Sequence, residues 1–272
     1  MTAAGTQTES PDRSSVRGLL IINADDWGGW KSATDAAVEC VAARRITSVS
    51  AMVFMDDSER AASISQTLRM DVGLHINLSQ PFTDSRCSRT VADAQTAVCR
   101  FLTRGKFAQM LYNPGLRGAF LTAFRSQTDE FLKLYGRTPT HYDGHHHMHL
   151  CANMLLGNVI PEAQKVRRSF HFWPGEKSFL NRAYRSWVDS KLRKRQTTAD
   201  YFFSLAQCLG KNRLLHVAAL AQESTVEIMT HPEQSRERDF LLGGDFLKTF
   251  SGLRLGGYSD LGSAECSQGR QC

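Results

Sequence analysis

The stretch Leu19-Leu20-Ile21-Ile22-Asn23-Ala24-Asp25-Asp26-Trp27-Gly28-Gly29 decides the fold. Its unbroken apolar run reads as a strand covered on both faces, the pattern of a parallel sheet. The run ends in two carboxylates beside a glycine pair, which predicts a strand over 18–23 followed by a loosened turn carrying Asp25 and Asp26. Outward from it, short β-rich runs alternate with helical periodicity. The expected order is a helix to about 44, a strand over 47–54, a helix to about 70 and a strand over 72–78. A long connection over 81–115 carries no assigned element. A helix over 116–135 and a strand over 140–144 follow. The second half predicts a strand near 165–170, a helix over 179–194, a strand over 225–230, a helix over 237–250 and a last strand over 253–258. Alternation of this kind predicts parallel strands covered by helices, as a closed barrel or an open sheet.

The chain has 272 residues, 42% hydrophobic and 22% charged, enough for one large domain with a full core. No repeat or linker divides it, so one domain is expected over 16–262, between core-poor tails at 1–15 and 263–272. No apolar run approaches the roughly 20 residues of a membrane span or forms a secretory h-region, so the expectation is a cytoplasmic protein without a transmembrane segment. The seven cysteines include no C-x-x-C pair, which argues against a disulfide framework and a thiolate zinc site. The net charge of +6 is concentrated between 161 and 196, where ten Lys and Arg face three acidic residues. One basic patch is implied rather than a nucleic-acid binder wrapped in positive field. Within it Leu180, Tyr184, Trp187, Val188 and Leu192 recur at helical steps and predict a core face, with Arg182, Arg185, Lys191, Arg193 and Lys194 off it.

Candidate chemistry clusters at predicted strand ends. Asp25 and Asp26 follow the first strand, although such a pair alone also fits an Asx turn or a helix cap. His75 alternates with Leu74 and Ile76 and shares its face with Asn77, which suggests a polar surrounding. His145, His146, His147 and His149 follow Asp143-Gly144, and imidazole is a common ligand of transition metals. His231 ends the run Val226-Glu227-Ile228-Met229-Thr230. In parallel βα architectures the carboxyl ends of strands are where active sites assemble. One Asp with two His suits an open metal site, and a spare carboxylate and a spare His would supply base and acid for metal-assisted hydrolysis.

Taken together, Ile22-Asn23-Ala24-Asp25-Asp26-Trp27-Gly28, Thr47-Ser48-Val49-Ser50, Gly73-Leu74-His75-Ile76-Asn77-Leu78, Thr138 to His149 and Glu227 to Pro232 resemble, in order, the hallmarks of the YdjC-like carbohydrate deacetylase family, which includes chitooligosaccharide deacetylases. The resemblance implies an irregular, TIM-barrel-like (β/α) barrel that removes an acetyl group from an N-acetylated sugar with a divalent metal ion, zinc or magnesium. It also implies that Asp26, His75 and His145 are metal ligands, Asp25 the general base and His231 the general acid. His146, His147 and His149 are left for supporting work. Trp27 stands where the family usually has Phe, and Asn153 near where many members have Pro. A homodimer is a further expectation. The basic segment 165–195 would suit a phosphate-bearing or lipid-linked glycan, or else is a solvated helix face. Two other readings are a metal-dependent phosphoesterase and a non-catalytic polyanion-binding protein.

Overall fold

Strand β1 (Leu19–Trp27) is buried along all nine residues, as its apolar run requires. It is longer than expected, so Asp25 and Asp26 lie inside the strand rather than on a turn beyond it. There follow α1 (Lys31–Ala42), β2 (Ser48–Ala51), α2 (Ser58–Leu68), β3 (Asp71–Ile76), α3 (Arg89–Thr103), α4 (Arg117–Tyr135), β4 (Tyr142–Gly144), α5 (Ala152–Leu156), α6 (Phe179–Arg193), β5 (Tyr201–Ser204), α7 (Leu205–Gly210), α8 (Leu214–Leu220), β6 (Thr225–Thr230), α9 (Ser235–Leu242) and α10 (Gly244–Phe250). This computed structural model describes residues 18–105, 107–173 and 175–262. Both expected tails, with Cys266 and Cys272, lie outside the described residues. Among the described residues no helix is long and apolar enough to cross a membrane.

The six strands form one parallel sheet in the order β4-β3-β2-β1-β6-β5. The sheet curls into a half-barrel that does not close fully, consistent with the expected irregular (β/α) barrel. Its two edge strands, only three and four residues long, are joined through the irregular segment 164–171. On one side Tyr142 N donates to Lys165 O at 2.8 Å and Arg167 N to Tyr142 O at 3.0 Å. On the other, Val166 N donates to Thr197 O and His171 N to Phe202 O, both at 2.9 Å.

Other departures have local causes. The expected strand at 165–170 makes only isolated bridges, because neither neighbouring edge is long enough to form a ladder. The expected last strand makes a single bridge, Leu20 to Leu255, before a 3-10 turn at Tyr258–Asp260. The unassigned connection holds α3, whose start is capped by Ser88 accepting from Val91 N and whose Val98, Phe101 and Leu102 are buried. The final helix is two, α9 and α10, broken at Gly243. On α6, Val188 and Leu192 are buried, but Leu180 and Trp187 are 78% and 41% exposed, so the predicted apolar face covers core only over its second half. There Asp189 is drawn inward by Arg168 Nη2 at 2.6 Å and Ser169 N at 3.0 Å.

Alternation along β1 sends Leu20, Ile22 and Ala24 into the core beneath the helices, while Leu19 and Ile21 pack with Tyr258 and Leu261 on the other side. Above that small apolar floor, the inside of the curl is polar: Asn23, Ser50, His141, Asp143, Arg167 and Glu227 are all fully buried. Space there is tight. His141 stacks on Tyr258 at 3.8 Å between ring centroids, and a Cβ on Gly73 would come within 2.3 Å of the His141 ring. Gly73→Ala is therefore expected to destabilise the fold by about 1–3 kcal/mol, as overpacking does. Gly118→Ala, at an open position in α4, should instead stabilise it by about 0.5–1 kcal/mol. Urea unfolding of both variants checks this; equal midpoints would refute the steric account.

Candidate active site

Neighbouring residues of a strand normally point to opposite faces, yet Asp25 and Asp26 both serve one site. The reason is a bulge: β1 pairs Asn23 with Ser48 and Ala24 with Val49, then jumps to Trp27 with Ala51, so Asp25 and Asp26 oppose Ser50 alone. Asp26 takes φ of 62° there. The Asp26 carboxylate consequently lies over the carboxyl ends of the strands. Its Oδ1 is 3.0 Å from His145 Nδ1 and 3.3 Å from His75 Nε2. Its Oδ2 is 3.7 Å from His231 Nε2.

His75 comes from β3 and His145 from the residue after β4. One ligand atom from each of Asp26, His75 and His145 lies within 4.8 Å of the others. Burial disfavours the Asp26 charge, but the two imidazoles beside it hold its carboxyl far below the usual carboxylate range. On its other nitrogen, His75 Nδ1 is 2.9 Å from Asp143 Oδ1, which orients the ring with Nε2 toward Asp26.

The other half of the site is organised by Arg167, which the sequence reading counted only as part of the basic segment. Its guanidinium is fully buried and grips Asp25 with two bonds of 2.7 Å, Asp143 Oδ2 at 2.6 Å and Glu227 Oε1 at 2.8 Å. Asn23 Nδ2 donates to Asp25 Oδ1 at 2.9 Å and to Ser50 Oγ, and Ser50 Oγ donates to Asp143 Oδ2 at 2.7 Å. Tyr258 donates to Glu227 Oε2. Burial pushes the Glu227 carboxyl up to about 7 despite Arg167 and Tyr258. Asp143 shows the opposite balance, since Arg167 and His75 outweigh its burial and hold it well below the usual value.

Asp25 and Asp143 thus share one fixed guanidinium, and the third enclosed carboxylate, Asp26, faces only imidazoles. His75 offsets part of this negative charge: burial opposes its own charge, but Asp143 and Asp25 raise its pKa well above the usual 6.5. A divalent cation at Asp26, His75 and His145 matches both the missing charge and the donor set of one oxygen and two nitrogens, with positions left open. Asp25, His75 and Asp143 also lie within 4.8 Å of one another, but both carboxylates are already held by Arg167, which argues against a second ion there.

The remaining histidines divide by contact. His146 Nδ1 is 3.0 Å from Ser79 Oγ. His147 packs edge-on to Phe170 at 4.4 Å, and burial holds it well below 6.5. His149 Nε2 is 2.9 Å from the Arg167 carbonyl, so it steadies the backbone behind the guanidinium. Gly144 gives His149 its room, since a Cβ there would meet it at about 3 Å. Asn77 does not share a wet face with His75; it is buried, with its Oδ1 accepting from Ser79 N and Gln80 N. Asn153 clamps the backbone of Asn113 through bonds of 2.8 and 2.9 Å, so this loop is pinned without Pro. His231 N donates to the buried Glu237 carboxylate at 2.9 Å, which fixes the chain where β6 ends.

Fold and site together define a parallel α/β protein with an enclosed Asp/His cluster that could hold a metal ion at the carboxyl ends of its strands. The chain belongs to the YdjC-like protein family, whose profile matches residues 19–251. It is 27% identical over 253 residues to the carbohydrate deacetylase of Mus musculus, covering 78% of this chain and 77% of that one. It is also 27% identical over 221 residues to the chitooligosaccharide deacetylase of Yersinia enterocolitica, covering 79% and 81%. A solved structure from Enterococcus faecalis V583, described as a candidate cellobiose-phosphate cleavage protein, superposes with a TM-score of 0.63 over 90% of this chain and 99% of that one. At 18% identity that likeness speaks for the fold alone.

Proposed function

We propose that the protein is a metal-dependent carbohydrate deacetylase that hydrolyses the acetamide of an N-acetylated sugar. The observation that carries this reading is the pairing of an enclosed carboxylate with a rim imidazole: the Asp25 side chain is 3% exposed and that of His231 29%, with the Asp26, His75 and His145 group beside them. The names of the relatives support the choice of amide over phosphate ester. Asp26, His75 and His145 would hold the ion, and when bound it supplies polarisation of the acetyl carbonyl and a more acidic water. Two imidazole donors favour zinc over magnesium.

Asp25 is the base. Of a carboxylate's roughly four acceptor sites, Arg167 and Asn23 occupy three, leaving about one for the proton of the attacking water. His231 is the acid, because an amide nitrogen leaves only as a protonated amine and the imidazole reaches solvent where a sugar ring would enter. The C–N bond breaks as His231 gives its proton to nitrogen, and the products are acetate and a free amino sugar. Each proton transfer is worth about 10²- to 10⁴-fold. The sugar further carries a phosphate or a phosphate-linked lipid, a reading supported by the local excess of cations in 161–196.

The test is acetate release from a panel of N-acetylated sugars, neutral and phosphorylated, with and without chelator. Acetate and amine in equal amounts, lost on chelation and restored by zinc, is the expected result; no acetate from any sugar would overturn the reading.

His75→Ala and His145→Ala should each lose bound metal, whereas His147→Ala, whose ring is packed among aromatics, should keep it. Protons compete with the ion for the imidazoles, and the raised pKa of His75 in the metal-free site places the onset above the usual 6.5. As pH falls, metal affinity should therefore begin to weaken at a higher pH than free imidazole would give. Metal content after dialysis across pH reads both effects.

A further inference from the structure

Trp30 opens α1 at a position where a short polar side chain normally caps the helix. Its indole makes no capping bond. The ring is tied elsewhere: Nε1 donates to Glu233 Oε2 at 2.7 Å, and Ser32 Oγ donates to Glu233 Oε1 at 2.6 Å. The carboxylate is thus held on both oxygens, joining the start of α1 to the segment after β6. Both ends of this bridge adjoin the candidate site. Gly29 N donates to Asp26 O at 3.0 Å, so Trp30 follows directly on the turn that begins at Asp26. Gln234 N donates to His231 O at 2.9 Å, which puts Glu233 in one turn with His231. The Asp26 and His231 side chains approach to 3.7 Å, so the indole stands at the rim where these two turns meet.

The other three tryptophans have other company. Trp27 is sealed in the core, Trp173 packs against the Phe203 ring at 4.9 Å and the Arg213 guanidinium at 4.2 Å, and Trp187 stacks on Tyr184 at 6.0 Å. Trp30 is half-buried, and among the described residues its ring makes no aromatic or cation–π contact and joins neither apolar cluster.

We propose that the Trp30 indole is a platform on which a pyranose ring of the substrate stacks, with Glu233 fixing its orientation. A pyranose has an apolar face of C–H bonds and an edge of hydroxyls, and an indole offers a broad apolar face with one polar edge. The bond to Glu233 holds that edge, so the ring is ordered before the sugar arrives. Glu233 is itself exposed. With one donor on each oxygen it keeps about two of a carboxylate's roughly four acceptor sites for hydroxyls of the stacked sugar. Its charge favours a neutral or amine-bearing ring at this position. That the stacked sugar is the substrate rests on the deacetylase reading; that Trp30 binds a pyranose does not.

Tryptophan fluorescence and calorimetry on the metal-loaded protein, titrated with a hexosamine and its β-linked disaccharide, test it. These sugars are the expected products and hold no amide to cut. Binding should shift the emission, and Trp30→Phe should remove most of that shift yet keep affinity within about threefold, because an aromatic face remains. Trp30→Ala should weaken binding about tenfold, and Glu233→Ala, which frees the indole without removing it, should fall between. Trp30 lies outside the core, so these variants should melt with wild type. Trp187→Phe, at an exposed indole of α6, should bind like wild type. Loss in Trp30→Ala for the disaccharide alone would put the platform under the neighbouring sugar, and loss for both ligands under the reacting one; both support the proposal. No binding of either sugar, unchanged affinity in Trp30→Ala, a full emission shift in Trp30→Phe, or a loss in Glu233→Ala that Trp30→Ala does not share would overturn it. Acetate release measured beside it separates the two readings. Release with Trp30→Ala affinity unchanged sinks only the platform, and Trp30-dependent sugar binding without acetate from any sugar sinks only the deacetylase assignment.

Discussion

Asp26→Ala is expected to leave the protein folded and without bound metal, whereas Asp25→Asn should retain metal and lose turnover by about 10²-fold or more. The two side chains are adjacent, yet the bulge gives them different company. Asp26 faces His75 and His145, and its removal takes away the oxygen donor of the centre. Asp25 faces Arg167 and Asn23, and an amide there keeps shape while losing the charge that takes a proton. An Asn can also offer only one oxygen to the two guanidinium nitrogens, so a modest loss of stability should accompany the loss of rate. Metal content per chain, measured beside kcat and the melting temperature, separates the outcomes. Equal metal loss in both variants would mean that Asp25 is a ligand and that the division of labour is wrong.

The Asp26, His75 and His145 cluster was legible because its parts lie at or near the carboxyl ends of apolar strand runs: Asp25 and Asp26 after Ile22, His75 between Leu74 and Ile76, His145 after Gly144, with His231 after Thr230. The parallel βα alternation follows from the same runs, whereas the strand order and the half-barrel curl do not. Less visible were groups whose role depends on contacts distant in sequence. Arg167 sits among ten cations, and nothing local distinguishes it from Arg168 beside it. A signal existed in the strands instead. Asn23 and Glu227 interrupt runs that are otherwise largely apolar, and a carboxylate within Val226-Glu227-Ile228 calls for a buried partner. β5 was missed because Tyr201-Phe202-Phe203-Ser204 is too short to show a period, and the fate of β1's last residues because a bulge has no sequence pattern of its own.

That buried partner is Arg167, whose removal is the second large effect. Arg167→Met should destabilise the protein by about 3–5 kcal/mol, a large part of the 5–15 kcal/mol that holds a typical domain together. The loss arises less from the bonds removed than from what stays behind: Asp25, Asp143 and Glu227 enclosed with no guanidinium among them. The sign of the pH response tests this cause. In wild type the depressed Asp143 pKa contributes stability that is present above the ordinary carboxylate range and lost as pH falls through it. With Arg167 gone, the Asp143 and Glu227 carboxyls must titrate higher, and Glu227 already does so at about 7. A raised pKa contributes stability at low pH that is lost as pH rises through the folded-state value. The Met variant should therefore gain stability relative to wild type on going from pH 8 to pH 5, and the gap between them should narrow. Arg167→Lys keeps one charge but not the fork that spans Asp25, so it should fold and bind metal yet lose turnover by about 10²-fold, the effect of a misplaced base. Urea unfolding at several pH values, with rates for the Lys variant, reads both. A gap independent of pH, or a Lys variant as fast as wild type, would show that Arg167 only fills space.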